Sequence, residues 1–114
     1  MTHQMKLHPE PFFKTKNGEK TVEMRLYDEK RRRIKIGDTI VFTNRECPEQ
    51  SLQAKVISLH RFASFEELYA ALPLTKCGYT EEIAPYADPN DMARYYSAEE
   101  QQRFGALGIE FVLI

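Results

Sequence analysis

No apolar run in this sequence approaches the ~18 residues that a membrane-spanning helix needs. The first residues also carry no apolar stretch of the signal-peptide kind. A cytoplasmic protein with no membrane partner is expected. Cysteine is scarce: Cys47 and Cys77 are far apart in sequence, and neither belongs to a C-x-x-C pair. Two reduced thiols are expected rather than a disulfide. Neither thiol lies near a histidine in a recognisable motif, which leaves nucleophilic thiol chemistry without support. His3, His8 and His60 lack metal-ligand spacing and no H-E-x-x-H occurs, so no metal and no cofactor are expected. Repeats, low-complexity tracts and linkers are missing too. The 114 residues read as one domain, large enough to bury a core without metal or disulfide.

What is present is an apolar fraction of 42%, with seven Phe and six Tyr, as expected of a folded chain. The net charge of −1 hides an asymmetry. Residues 1–35 hold ten Lys/Arg against five acids, and residues 36–114 hold six against twelve. Local fields steer ligands more than totals do, so the N-terminal side favours a polyanion or phosphate partner.

Local signals outline the elements. Met5-Lys6-Leu7 reads as a short opening strand. Pro9 and Pro11 suit the first turn of a helix through Lys16, which Asn17-Gly18 ends. From Thr21 the period becomes two. Val22, Met24 and Leu26 then face one way, and Thr21, Glu23, Arg25 and Tyr27 the other. By this parity Lys20 points away from the Glu23/Arg25 pair. Thr39–Asn44 reads as a strand, Arg45–Gln50 as a loop, and Ser51–Leu59 as a longer antiparallel strand. Ser64-Phe65-Glu66-Glu67 and Ser97-Ala98-Glu99-Glu100 are capping boxes opening helices. Asp88-Pro89 opens another short helix, and Leu107–Ile114 is a closing strand, apolar enough to be central. Short helices among non-locally paired strands predict an α+β fold around a small, mostly antiparallel barrel.

Gly18-x-Lys20-x-x-Glu23-x-Arg25 resembles the G-x-K-x-x-E-x-R signature of the ASCH domain family. The segments Leu26-Tyr27-Asp28-x-Lys30-Arg31 and Ile34-Lys35-Ile36-Gly37-Asp38-x-Ile40-x-Phe42 are similar to the family's next segment. Phe62-x-x-Phe65-x-x-Leu68, Tyr95-Tyr96-Ser97-x-Glu99-Glu100 and Gly105-x-x-x-Ile109 continue the likeness in order along the chain. The resemblance implies a PUA-like β-barrel with short flanking helices, and a cleft proposed to take RNA or a nucleotide-like ligand. Lys20, Glu23 and Arg25 carry over as the cleft residues. Some members are amidohydrolases that deacetylate N4-acetylcytidine, and others are described as ribonucleases. The amidohydrolases use a lysine, a threonine three positions later and a distant glutamate. This chain keeps Lys20 but has Glu23 at the threonine position.

Each candidate has two roles open. Lys20 can cradle phosphate or act as base or nucleophile, with Glu23 as its proton carrier, or it can be a solvated lysine. Glu23 and Arg25 can pair with each other, or accept a base amino group and bind phosphate. Within the run Lys30–Lys35, Arg31 and Arg32 are phosphate-contact candidates unless the run is only solvated. Tyr79, Tyr86, Tyr95 and Tyr96 can stack on a base, with Tyr95 the chosen candidate and one of the pair Tyr95/Tyr96 expected in the core. Asp91, Glu99 and Glu100 can serve as acid/base partners or merely complement helix dipoles.

Overall fold

Five strands and three α-helices follow one another as β1 (Thr2–Leu7), α1 (Pro9–Lys16), β2 (Val22–Leu26), β3 (Thr39–Asn44), β4 (Cys47–Phe62), α2 (Phe65–Ala71), α3 (Ala98–Phe104) and β5 (Ala106–Leu113) in a computed structural model describing residues 1–114. The strands form a single sheet in the order β1-β3-β4-β5-β2, curled into a half-barrel. Only β1–β3 is parallel; the other three pairings are antiparallel. The fold is α+β, as expected, and β5 is interior to the sheet. No helix is long and apolar enough to cross a membrane.

Two apolar clusters hold the sheet. Inside the curl lie Phe12 of α1, Ile40 and Phe42 of β3, Val56 of β4, and Ile109 and Phe111 of β5. On the outer side, Phe65, Leu68 and Tyr69 of α2 pack with Leu26, Ala106 and Met92. The strand β2 is buried on both faces by these two clusters. Its partners Ile109 and Leu107 stand opposite Glu23 and Arg25, so those polar side chains share the inner face of the sheet. Val22, Met24 and Leu26 take the α2 side. The polar parity read from the sequence is therefore correct, but it points into the barrel mouth and not into bulk solvent.

The expected helix ends are present. Ser64 Oγ accepts from Glu67 N at 3.2 Å, although Glu67 Oε2 reaches back to Ala63 N and not to Ser64. Ser97 and Glu100 form the full reciprocal capping box. Asp88 accepts from Asn90 N and opens a 3₁₀ turn over Pro89–Arg94.

One boundary differs. The chain reverses over Arg45-Glu46 alone, and β4 begins at Cys47 where a longer loop was expected. The ladder slips between Thr43 and Asn44, forming a bulge that spans Pro48. A proline has no N–H for the ladder, so it is tolerated there. Buried Asn44 secures the bulge by donating to Gln50 Oε1 and accepting from Glu46 N.

Candidate functional site

The half-barrel is open between its edge strands β1 and β2, and a cleft of about 750 Å³ lies at that opening. Lys20, Glu23, Arg25, Arg31 and Tyr95 all line it. Its walls hold seven Lys/Arg side chains against three carboxylates, which makes the cleft cationic in a chain that is overall slightly acidic.

At its floor is a buried chain of charges. Lys20 Nζ donates to Glu23 Oε1 at 2.5 Å, and Arg25 Nε donates to Glu23 Oε2 at 2.9 Å. Lys20 is 6% exposed and Glu23 4%. Burial pushes the Glu23 carboxyl up, but Lys20 and Arg25 outweigh it and hold the group at about 2. For Arg25, burial works against its charge, yet Glu23, with help from Tyr96, raises it above the ordinary arginine value. Arg25 Nη2 also donates to the Lys6 carbonyl at 3.0 Å and so ties β2 to β1 across the open side.

The placement of Lys20 corrects the parity expectation. Lys20 precedes the strand, which starts at Val22, so alternation does not govern it. Its backbone N–H bonds to Lys14 O, and the Thr21 N–H bonds to Lys76 O. This connection turns the Lys20 side chain back toward Glu23. Gly78, at φ +111°, lies over it: a Cβ there would be 3.6 Å from Lys20 Cδ.

Of the tyrosines, Tyr96 stacks parallel on Phe65 at 6.0 Å and packs on the α2 cluster, whereas Tyr95 stays 56% exposed on the cleft wall, 6.4 Å from the His8 ring. Tyr79 donates to Asp91 at 3.0 Å and is 2.8 Å from the Tyr69 hydroxyl, with all three on the wall. Burial, the Tyr69 contact and Asp91 together push the Tyr79 phenol up. Tyr86 is exposed and outside the cleft, as are Glu99 in the first turn of α3 and Glu100 in its capping box. Arg31 is held by Asp28 at 2.7 Å. Arg32 lies outside the walls, its guanidinium 5.3 Å from the Tyr27 ring centre.

Among the lining residues that the sequence did not single out are Lys6, His8, Lys14, Arg45 and Arg94. Lys6 stands near the end of β1, and Arg45 sits in the tight turn before β4. A recognised two-residue turn would have singled out Arg45 as a projecting cation. Cys77 also reaches the cleft, but burial pushes its thiol up to about 11, against the nearby Lys20 charge. No three His, Cys, Asp or Glu side chains converge as a metal site would need.

The ASCH domain profile matches residues 5–114. The chain belongs to the ASCH domain family. This ASCH domain superimposes on the crystal structure of hypothetical protein PH0355 with a TM-score of 0.85, at 30% identity over 100% of both chains. The solution structure of protein PF0455 from Pyrococcus furiosus gives 0.72 at 29% identity, covering 100% of this chain and 98% of that one. The ASCH protein from Zymomonas mobilis shares the fold with a TM-score of 0.59 at 17% identity, over 99% of this chain and 66% of that one. No curated protein matches the sequence. The PUA-like α+β architecture expected from the signature is therefore the architecture of the chain.

Proposed function

We propose that this ASCH domain is a binding module that takes RNA or a nucleotide-like ligand into the cleft over Lys20, Glu23 and Arg25. The observation that carries this reading is the buried Lys20–Glu23–Arg25 chain at the floor of a cationic cleft. Two cations around one carboxylate leave a net positive charge there. Glu23 Oε1, with Lys20 as its one partner, has a further lone pair, suited to a base amino group. Arg25 has more N–H donors than its protein partners use, suited to a carbonyl or phosphate oxygen. The half-exposed Tyr95 ring on the wall offers a stacking face.

The chemistry of the same groups favours holding a ligand over cleaving one. Glu23 is kept ionised and has no proton to give near neutral pH. The Cys77 thiol is kept protonated, and Lys20 is tied to Glu23. Fluorescence anisotropy with short labelled RNAs tests the reading. Saturable binding that falls with added salt supports it, and no binding at low salt overturns it. Incubation with N4-acetylcytidine and with RNA provides the other arm. Turnover that disappears in Lys20→Ala would place a hydrolase above a binding module.

A further inference from the structure

A second depression, of about 330 Å³, adjoins the cleft. Its wall carries Lys6, Arg25, Lys30, Arg31 and Arg45 and no carboxylate. Four of these cations also line the main cleft, so the two hollows share a wall. The fold brings them there from separate elements: the end of β1, the middle of β2, the connection after β2, and the turn before β4. Arg25 is paired with Glu23 and Arg31 with Asp28, whereas Lys6, Lys30 and Arg45 form no ion pair at all. Unpaired cations gathered in a concave wall concentrate a positive field.

The two hollows differ in chemistry. The cleft has tyrosines, two methionines and carboxylates, as a base requires. The depression has no aromatic side chain and no negative charge, as a phosphate requires. Arg31 adds an independent sign. Its Nε is the one buried side-chain nitrogen or oxygen without a hydrogen-bond partner. Buried donors rarely stay unpartnered. An anionic oxygen at the shared wall gives it an acceptor after a turn of the side chain.

We propose that this depression is a phosphate subsite, so that the ligand is a base in the cleft with a phosphate ester beside it. The subsite rests on the proposed role of the cleft as the base site. The phosphate is either the terminal group of a mononucleotide or a diester in a strand, and a panel of probes separates the two.

Isothermal titration calorimetry at low salt compares the four ribonucleosides, their 3′- and 5′-monophosphates, and a mixed-sequence RNA hexamer. At least one phosphorylated probe binds ~10-fold or more tightly than its nucleoside, the gain of a charge-assisted contact. Lys30 lines the depression and not the cleft. Lys30→Glu therefore lowers the phosphorylated affinity by ~5-fold and leaves nucleoside affinity as it was, which also confirms that the variant is folded. A gain seen with monophosphates assigns a terminal phosphate, and one seen with the hexamer alone assigns a diester. Equal affinities with and without phosphate, or a gain untouched by Lys30→Glu, overturn the subsite and leave the base cleft standing. Absence of binding by every probe removes both.

Discussion

Arg25 on β2 and Lys6 on β1 are joined by a 3.0 Å hydrogen bond from the guanidinium Nη2 to the Lys6 main-chain carbonyl. These strands are the two edges of the sheet, and no ladder connects them. A side chain therefore spans the opening that backbone pairing leaves. The same guanidinium holds Glu23, which in turn holds Lys20. The family signature thus acts as a brace for the open side of the half-barrel as well as the floor of its cleft.

Arg25→Ala is expected to destabilise the domain by about 3 kcal/mol, because it leaves the Glu23 charge buried with one partner fewer. Arg25→Lys recovers only part of this, since an ammonium lacks the planar fork that reaches Glu23 and Lys6 together. Urea unfolding of the three proteins checks the order. Equal stability of Arg25→Lys and the natural domain would show that the bridge to β1 contributes nothing.

Glu23 predicts an acid limb. Its carboxyl is held at about 2 in the folded protein, below the ordinary 4.5. The stabilisation is therefore complete above pH 4.5 and is lost as pH falls from there toward 2. Glu23→Gln removes this limb and is less stable at neutral pH by about 3 kcal/mol, with two cations left facing an uncharged group. Thermal melts between pH 2 and pH 7 measure both effects. A variant whose melting temperature kept the natural pH slope would contradict the assignment.

Tyr95 separates binding from folding. Its ring is half exposed and packs little, so Tyr95→Ala should leave the stability in urea within about 0.5 kcal/mol of the natural value. A lost stacking face costs about 1–3 kcal/mol per base, so RNA affinity should fall ~10-fold. Unchanged RNA affinity would take Tyr95 out of the site.

Gly105 is expected to resist substitution more than Gly108. At φ +76° it ends α3, and a Cβ would lie 2.7 Å from the Phe62 carbonyl oxygen, a backbone atom that cannot step aside. At Gly108 the nearest atom is the Leu72 Cδ1 methyl, which can turn away. Gly105→Ala should therefore cost at least about 2 kcal/mol, and more than Gly108→Ala. Chemical denaturation that ranks the two the other way would refute this.

The elements read from sequence were those with local causes. Pro9, Pro11 and Gly18 bracket α1, Ser97 and Glu100 cap α3, and alternation marks β2, all within a few residues of chain. The family resemblance, and no local cause, pointed to Lys20, Glu23 and Arg25, which line the cleft. Parity failed at Lys20 because the strand starts two residues later, and the contacts of Lys20 with Lys14 and of Thr21 with Lys76 set the direction of that side chain. The bulge spanning Pro48 depends on Asn44 meeting Gln50 across the turn, which no propensity encodes. The basic depression is likewise non-local. Arg31 stood out in its charge run, but Lys6 and Arg45 become its neighbours only once β1 and β3 pair in parallel.

Chemical-shift mapping during titration of ¹⁵N-labelled domain with a short RNA tests the binding cleft most directly. The amides of Lys20 to Arg25, Arg31, Arg45, Tyr95 and Tyr96 should move together and saturate at one ligand concentration. Shifts confined to the opposite face of the sheet, around Lys55 and Val112, or no shifts at millimolar RNA, would contradict a nucleotide-binding cleft at the open side of the half-barrel.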